Sequence, residues 1–313
     1  MISSHSPVLS VIIPVYREGE YLSVVLATIV AEVEKTGELF EILLVDDGSP
    51  DNTWEVIREI STHYPMLRAL RLSRNFGKEY ALCAGLEIAK GQAVIVMDGD
   101  LQHPPHLIPK MTHIWSESNV EIVEAVKIYR GKESLLSKLG ASLFYKIIND
   151  LSGYNLRGAS DYKLLDRKVV NAWRSMGERN IFFRGMTAWL GFHRVQIPFE
   201  VPERAGGRSR WSIFQLFKLA VNGITSFSSI PLHFVTLSGC IFLVFALILG
   251  YQALYLKFVG RAVSGFTTVI ILLLIIGSLL MISLGIIGIY IAKIYEEVKG
   301  RPRYIIVERI DKS

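Results

Sequence analysis

The first half of the chain alternates short apolar runs with stretches of helical periodicity. Residues 8–15, 40–45, 67–72 and 93–97 are rich in Val, Ile and Leu and are bounded by Gly, Pro, Asp or Asn, which predicts buried strands. Between them, residues 21–36, 53–63 and 78–89 place apolar side chains three and four apart, which predicts helices with one buried face. Asp51 or Asn52 is placed to cap the second of these helices. Strands alternating with helices predict a parallel sheet in an α/β domain. In such sheets ligands bind beyond the carboxyl ends of the strands. Three polar clusters fall at those ends: Tyr16-Arg17-Glu18, Asp46-Asp47 and Asp98-Gly99-Asp100. After Pro105 the pattern loosens, with a strand expected at 121–126, an amphipathic helix at 134–151 and a late strand at 194–201.

The C-terminal third follows a different rule. Residues 219–256 contain no Asp, Glu, Lys or Arg, and neither do residues 262–292. Each run exceeds the roughly 20 apolar residues that cross a bilayer, so spans are expected at 231–256 and 266–292. Residues 211–227 fit either an amphipathic helix on the membrane surface or an extension of the first span. The expected organisation is therefore a soluble domain at 1–209, a juxtamembrane helix at 210–229, a two-helix membrane region at 230–292 and a tail at 293–313.

Charge sets the orientation. Arg204, Arg208, Arg210 and Lys218 precede the first span, and Lys293, Lys299, Arg301 and Arg303 follow the second, whereas the connecting loop carries only Lys257 and Arg261. The excess of Lys and Arg on the outer flanks predicts that both ends lie in the cytoplasm. The net charge of +5 comes largely from those flanks and points to anionic lipid, not nucleic acid, as the partner. Cys83 and Cys240 suggest neither a disulfide framework nor a zinc site. Residues 1–10 hold no long apolar region, so no cleavable leader is expected. Gly277, Gly285 and Gly288 would allow close helix packing and with it a homo-oligomer.

The candidate chemistry centres on Asp98-Gly99-Asp100, which ends the apolar run at 93–97 and leads into Leu101-Gln102-His103-Pro104-Pro105. Alone, such a pair is a turn with solvated carboxylates. At a strand's exit, carboxylates at i and i+2 can hold one divalent cation through oxygen, and such an ion stabilises the charge on a diphosphate leaving group. Lys127 and Arg130 follow the strand expected at 121–126, and Arg204, Arg208 and Arg210 lie just before the membrane. These cations are candidates for guiding and holding an anionic phosphate, the arginines through a fork that donates bidentately.

Four ordered motifs carry a family resemblance: Val11-Ile12-Ile13-Pro14-Val15-Tyr16-Arg17-Glu18, Val45-Asp46-Asp47-Gly48-Ser49, Ser73-Arg74-Asn75-Phe76-Gly77-Lys78 and Asp98 through Pro105. Together they resemble glycosyltransferase family 2, more narrowly the polyprenyl-phosphate glycosyltransferases of the dolichol-phosphate-mannose-synthase type and their bacterial bactoprenol glucosyltransferase branch. The resemblance covers nearly the whole chain. It implies a GT-A (Rossmann-like) cytosolic domain followed by two transmembrane helices, metal-dependent transfer with inversion, and one sugar passed from a nucleotide sugar to a membrane polyprenyl phosphate. It implies that Pro14, Tyr16, Glu18, Asp46 and Asp98 receive the nucleotide sugar. It further implies that Asp98, Asp100 and Gln102 serve Mg²⁺ or Mn²⁺, with Asp100 and Gln102 the direct ligands and Asp98 at the ribose or at metal-bound water. Asp161 matches a family position that would orient the sugar or act as base, beside the cations Lys127 and Arg130, while Arg204, Arg208 and Arg210 would meet the acceptor phosphate. Tyr162 and Lys163 depart from the family's commoner Phe and Arg. His103 is either a ligand or a structural residue beside the two prolines.

The branch implies glucose from UDP-glucose, with mannose from GDP-mannose as the alternative, and a multi-pass protein of the bacterial inner membrane with its catalytic domain in the cytoplasm. A polysaccharide synthase is disfavoured, because Gly207-Arg208-Ser209-Arg210-Trp211 lacks the Gln of the synthase Gln-x-x-Arg-Trp motif.

Overall fold

The computed structural model describes residues 7–128, 160–179, 181–200, 230–260 and 265–311. Arg130, Arg204, Arg208 and Arg210 lie outside the described residues, as do the helices expected at 134–151 and 211–227. The chain divides into two units, one holding the sheet and including residues 301–313, the other holding the apolar helices.

In the first unit the order is β1 (Leu9–Val15), α1 (Leu22–Glu34), β2 (Phe40–Asp46), α2 (Thr53–His63), β3 (Leu67–Leu72), α3 (Lys78–Ile88), β4 (Ala93–Val96), α4 (Leu107–Glu117), β5 (Ile122–Ile128), β6 (Lys163–Asp166), α5 (Arg167–Ser175), α6 (Phe183–Trp189), β7 (Arg194–Glu200) and β8 (Ile306–Ile310). They form one eight-stranded sheet in the order β7-β5-β6-β4-β1-β2-β3-β8. All seven residues of β1 are buried, as its unbroken apolar run requires of a central strand covered on both faces. β7 alternates exposed and buried positions toward its end and lies at an edge, where Pro198 is tolerated.

The parallel sheet expected of the four strands between residues 8 and 97 is present, and the strands that follow make the whole sheet mixed. β4, β1, β2 and β3 run parallel, but β6 is antiparallel to both β4 and β5, and β8 is antiparallel to β3. Both reversed strands are short and carry ionic residues, so neither offers the apolar run that marks a buried strand. In β6, Lys163 is buried beside Glu124 at 3.0 Å and donates to Thr187 Oγ1 at 2.8 Å, so a charged residue occupies a core position by being paired. Trp54, Tyr162 and Phe183 are the largest fully buried side chains. Each fully buried Leu or Ile around them contributes about 1.5–3 kcal/mol.

The strand order reverses between β1 and β4: β2 and β3 build outward on one side of β1, and β4 lies on the other. Met97 N–H donates to the Ile12 carbonyl, so Ile12 and, two residues on, Pro14 face the β4 side. β4 pairs with β1 only as far as Ile12↔Val96. Pro14 therefore sits where the ladder has ended and its missing N–H costs no bond. The two chains diverge there and open a crevice at the carboxyl ends of the strands.

The second unit contains α7 (Ile230–Phe258) and α8 (Phe266–Val298). Within them Pro231–Phe258 and Leu272–Val298 have mean hydropathies of 2.4 and 2.7 and are long and apolar enough to cross a membrane. At about 1.5 Å per residue each exceeds a hydrocarbon core of about 30 Å. Their side chains, Leu237, Leu273 and Met281 among them, are exposed, which is not the arrangement of a buried core helix. α8 continues beyond residue 292 through Lys293 and Glu296-Glu297.

Candidate active site

The crevice at the strand-order reversal is a cleft of about 440 Å³, lined by Tyr16, Glu18, Asp47, Lys78, Asp98 and Asp100 among others. That is a small-molecule volume, at the position where open α/β sheets bind ligands.

One end is built by the exits of β1 and β2. Asp46 is fully buried; its Oδ1 accepts from Ser49 N–H at 3.0 Å, and Arg71 Nε lies 3.5 Å from its Oδ2. Burial pushes the Asp46 carboxyl up, against the pull of Ser49 and Arg71. The neighbouring Asp47 accepts from Phe76 N–H at 2.8 Å and Gly77 N–H at 2.9 Å, tying this turn to the loop before α3. Ser49 Oγ accepts from Arg17 N–H at 3.0 Å, and Thr53 Oγ1 accepts from the N–H groups of Glu18 and Gly19 at 3.1 Å each. These bonds hold Arg17 in the left-handed region, at φ 58°. Tyr16 is partly exposed on the cleft, with the Arg17 guanidinium 5.2 Å from its ring centre.

Gly48 makes the turn possible. Its φ is +64°, and a Cβ there would fall 2.4 Å from the Arg74 carbonyl carbon. Gly48→Ala is expected to destabilise the sheet unit by about 2 kcal/mol or more, read as a lower urea midpoint for the full chain in detergent. An unchanged midpoint would show that the turn relaxes freely.

The other end is built by the exit of β4. Asp98 N–H donates to His103 Nδ1 at 2.9 Å, and the imidazole stacks on Tyr162 with ring centres 5.1 Å apart. Burial pushes His103 down to about 4, so it is neutral near pH 7 and its Nδ1 is used in holding the Asp98 backbone. Tyr162 donates its hydroxyl to the Pro104 carbonyl at 3.1 Å, so the departures from the family pattern at Tyr162 and Lys163 both fill structural positions. Gln102 N–H donates to Asp100 Oδ1 at 3.0 Å, and Leu101 between them is left-handed at φ 56°.

Glu18, Asp98, Gly99 and Asp100 line the same part of the cleft. A Cβ on Gly99 would lie 2.6 Å from Glu18 Oε2, an oxygen that is buried without a hydrogen-bond partner. Burial, then the charges of Asp100 and Asp98, push the Glu18 carboxyl up to about 7. A divalent cation fits here. The donors are hard oxygens, Lys78 relieves the repulsion between them only in part, and Mg²⁺ commonly takes one or two carboxylates and completes its shell with water and substrate phosphate. Among the described residues no group of three or more His, Cys, Asp or Glu side chains is arranged to hold a metal by itself.

Two cations absent from the sequence-derived site complete it. Lys78 Nζ lies 2.5 Å from Asp98 Oδ1 and 2.7 Å from Asp161 Oδ2. Arg184 grips Asp161 with a fork, Nε to Oδ1 at 2.7 Å and Nη2 to Oδ2 at 2.9 Å. Burial alone would raise the Asp161 carboxyl, but the Arg184 hydrogen bonds and the charges of Arg184 and Lys78 hold it well below the usual carboxylate range. Burial likewise opposes the charge on Lys78, and Asp161 and Asp98 overcome it, so the Lys78 ammonium titrates above its ordinary value. Lys78 had a legible signal. A lysine opening a helix sits at the positive end of the macrodipole, an unfavourable place unless anions face it. Arg184 had none, because it meets Asp161 only through the packing of α6.

Glu79 fixes that packing by accepting from Phe183 N–H at 2.9 Å; burial, then the charge of Asp161, push its carboxyl up to about 7. Lys127, near the end of β5, is lowered by burial and then by the charge of Arg184, with Asp98 and Asp100 pulling the other way. The structure thus gathers Pro14, Tyr16, Glu18, Asp98 and Asp100 in one cleft, joins Asp161 to Asp98 through Lys78, and sets Lys127 within their field. Gln102 is half-buried beside Asp100, and Asp46 lies beneath the turn that carries Asp47.

Residues 10–173 match the family described as Glycosyl transferase family 2. A glycosyltransferase of Synechocystis described as uncharacterized is 37% identical over 302 residues, covering 95% of this chain and 94% of the relative. A prophage bactoprenol glucosyl transferase homolog of Escherichia coli is 34% identical over 300 residues, covering 95% of this chain and 98% of the relative. Among solved structures, a glucosyl-3-phosphoglycerate synthase from Mycobacterium tuberculosis, in complex with Mn²⁺, UDP-glucose and phosphoglyceric acid, aligns with a TM-score of 0.47 at 18% identity, covering 70% of this chain and 78% of that one.

Proposed function

The chain belongs to glycosyl transferase family 2, and on that premise we propose that it transfers one glucose, with inversion, from UDP-glucose to a membrane polyprenyl phosphate. Its mixed α/β sheet is like that of the GT-A glycosyltransferases. The lipid acceptor and the glucose are supported by the relatives named as bactoprenol glucosyl transferases, which match over most of the chain. The observation that carries the reading is the Asp98–Lys78–Asp161–Arg184 network, whose Lys78 and Asp98 line a cleft of about 440 Å³.

In this reading Pro14, Tyr16, Glu18 and Asp47 receive the nucleoside, with Asp46 holding the turn from below. Asp98, Asp100 and Gln102 would hold Mg²⁺ or Mn²⁺, which when bound neutralises charge on the diphosphate leaving group. An acceptor phosphate oxygen attacks the anomeric carbon as the bond to the donor's β-phosphate oxygen breaks, and the nucleoside diphosphate departs with that electron pair. A single displacement of this kind inverts the centre. The acceptor is already an anion near neutral pH and has no proton to lose before attack. Asp161 suits this chemistry as an anchor, because a carboxylate held ionised by two cations is a poor base. It orients Lys78 and Arg184, and with Lys127 they supply positive charge where two phosphates meet. Arg130, Arg204, Arg208 and Arg210 are proposed to guide the acceptor on its way from the bilayer.

The helices α7 and α8 are proposed to span the cell membrane with both flanks cytoplasmic. Support comes from the Lys and Arg excess on the flanks and from chain connectivity. β8 follows α8 yet pairs with β3, which precedes α7, so the segments on either side of the helix pair belong to one sheet.

The test is purified full-length protein in detergent, given polyprenyl phosphate and a panel of labelled nucleotide sugars. The expected product from UDP-glucose partitions into organic solvent and carries a single sugar. Label from GDP-mannose alone would reassign the sugar, and sugar chains, or transfer to water-soluble acceptors with no lipid present, would overturn the reading.

A further inference from the structure

The strand that closes one edge of the sheet comes from beyond α8 and reaches back to the nucleoside end of the cleft. Glu308 on β8 stands opposite Arg71 on β3 in the ladder, and its Oε1 accepts from Arg71 Nη1 at 3.2 Å. Its other oxygen pairs with Arg58 of α2. Held between them, Arg71 presents Nε 3.5 Å from Asp46 Oδ2 and donates from Nη2 to the Ser49 carbonyl at 3.4 Å. Both contacts are at the long end of the hydrogen-bond range, so the place of the guanidinium is set by its anchor at Glu308 together with the Trp54 ring, whose centre lies 5.8 Å away. Asp46 Oδ2 is buried with no hydrogen bond of its own, which makes the nearby positive charge necessary. The turn it steadies carries Asp47 into the cleft and, through Ser49 Oγ, holds the backbone of Arg17 beside Tyr16 and Glu18.

We propose that Glu308 is a positioning residue for the nucleoside diphosphate part of the donor, acting through Arg71 on the Asp46–Ser49 turn. This rests on the nucleotide-sugar reading above. Glu308 touches no substrate. It sets the shape of a pocket two strands away, so the segment after the second apolar helix is part of the donor site.

A purely structural role for β8 makes a different prediction, and Asp311 separates the two. Its carboxylate accepts from Arg68 Nε at 2.9 Å, a second ion pair between the C-terminal segment and β3 that does not touch the turn. UDP and GDP binding to the full-length protein in detergent would be measured by calorimetry, with donor and acceptor kinetics alongside. Glu308→Gln is expected to raise the Kd for the bound nucleotide and the donor KM by about five- to tenfold, leaving kcat and acceptor KM within about twofold. Asp311→Asn is expected to leave all four within about twofold. Glu308→Asp, which keeps the charge on a shorter stem, is expected to give a smaller rise and serves if the Gln variant fails to fold. Unchanged nucleotide Kd in the folded Glu308 variants, or an equal shift in Asp311→Asn, would overturn the proposal. Wild-type protein that binds neither nucleotide would instead overturn the nucleotide-sugar reading itself.

Discussion

Asp161→Asn is expected to lower kcat by about a hundred- to a thousandfold while leaving donor KM within about threefold. The substitution keeps the shape and removes the charge. Asp161 is 5% exposed and holds two cations, so its loss removes the carboxylate that Lys78 and Arg184 share. Breaking a buried ion network from one side costs about 3–5 kcal/mol, and here the strain falls on the groups proposed to meet the reacting phosphates. The sign of the pH dependence follows from the depressed carboxyl. Its contribution to stability is fully present above the ordinary Asp value of 3.8 and is lost only as pH falls through the lower folded value. Wild-type turnover should therefore show no limb near neutrality that Asp161→Asn abolishes. Such a limb would make Asp161 the base, and a variant with near-normal kcat would remove it from the site.

What the sequence revealed of this network, and what it concealed, has a physical basis. β1, β2 and β4 were legible because each is buried on both faces and reads as a mainly apolar run, and β3 because its leucines recur around Arg68 and Arg71. The clusters at their ends were legible because polar residues abruptly follow such runs. β6 was not, since four residues beginning with a buried lysine and ending in Asp166 carry no strand signature. β8 was hidden for the opposite reason, being a half-exposed edge strand whose Glu308 and Arg309 read as a charged tail. Asp161 could be placed by motif alone, whereas its partners depend on tertiary packing. Arg184 is 23 residues away and Lys78 is 83, and nothing local binds them together.

Removal of divalent cation is expected to abolish turnover, with recovery on adding Mg²⁺ or Mn²⁺, and Asp100→Ala is expected to cost about a hundred- to a thousandfold in kcat. Asp98 and Asp100 flank Gly99, where a side chain would collide with Glu18. Lys78 already neutralises part of Asp98, which leaves Asp100 as the carboxylate with most capacity for an ion. A readout independent of turnover is Mn²⁺ binding by electron paramagnetic resonance in the presence of UDP. Asp100→Ala should weaken it, and Asp311→Asn should not. Full activity in excess chelator, or unchanged Mn²⁺ binding by Asp100→Ala, would show that Lys78 and its neighbours carry the charge alone.

The pairing of β8 with β3 also imposes an order on biosynthesis. Residues whose side chains meet across that ladder are up to 243 positions apart, and both apolar helices lie between them. A ribosome completes β3 long before it makes β8, so the growing chain carries an unpaired sheet edge until β8 emerges. Open edges of this kind invite wrong partners. The chain limits that exposure with charge, because Arg68 and Arg71 stand along β3 and remain unmatched by β8 until Asp311 and Glu308 arrive. The nascent protein would thus acquire the proposed donor site in full only after its helices had been made, and a chain truncated just after the second helix would lack the Glu308 support of the Asp46–Ser49 turn.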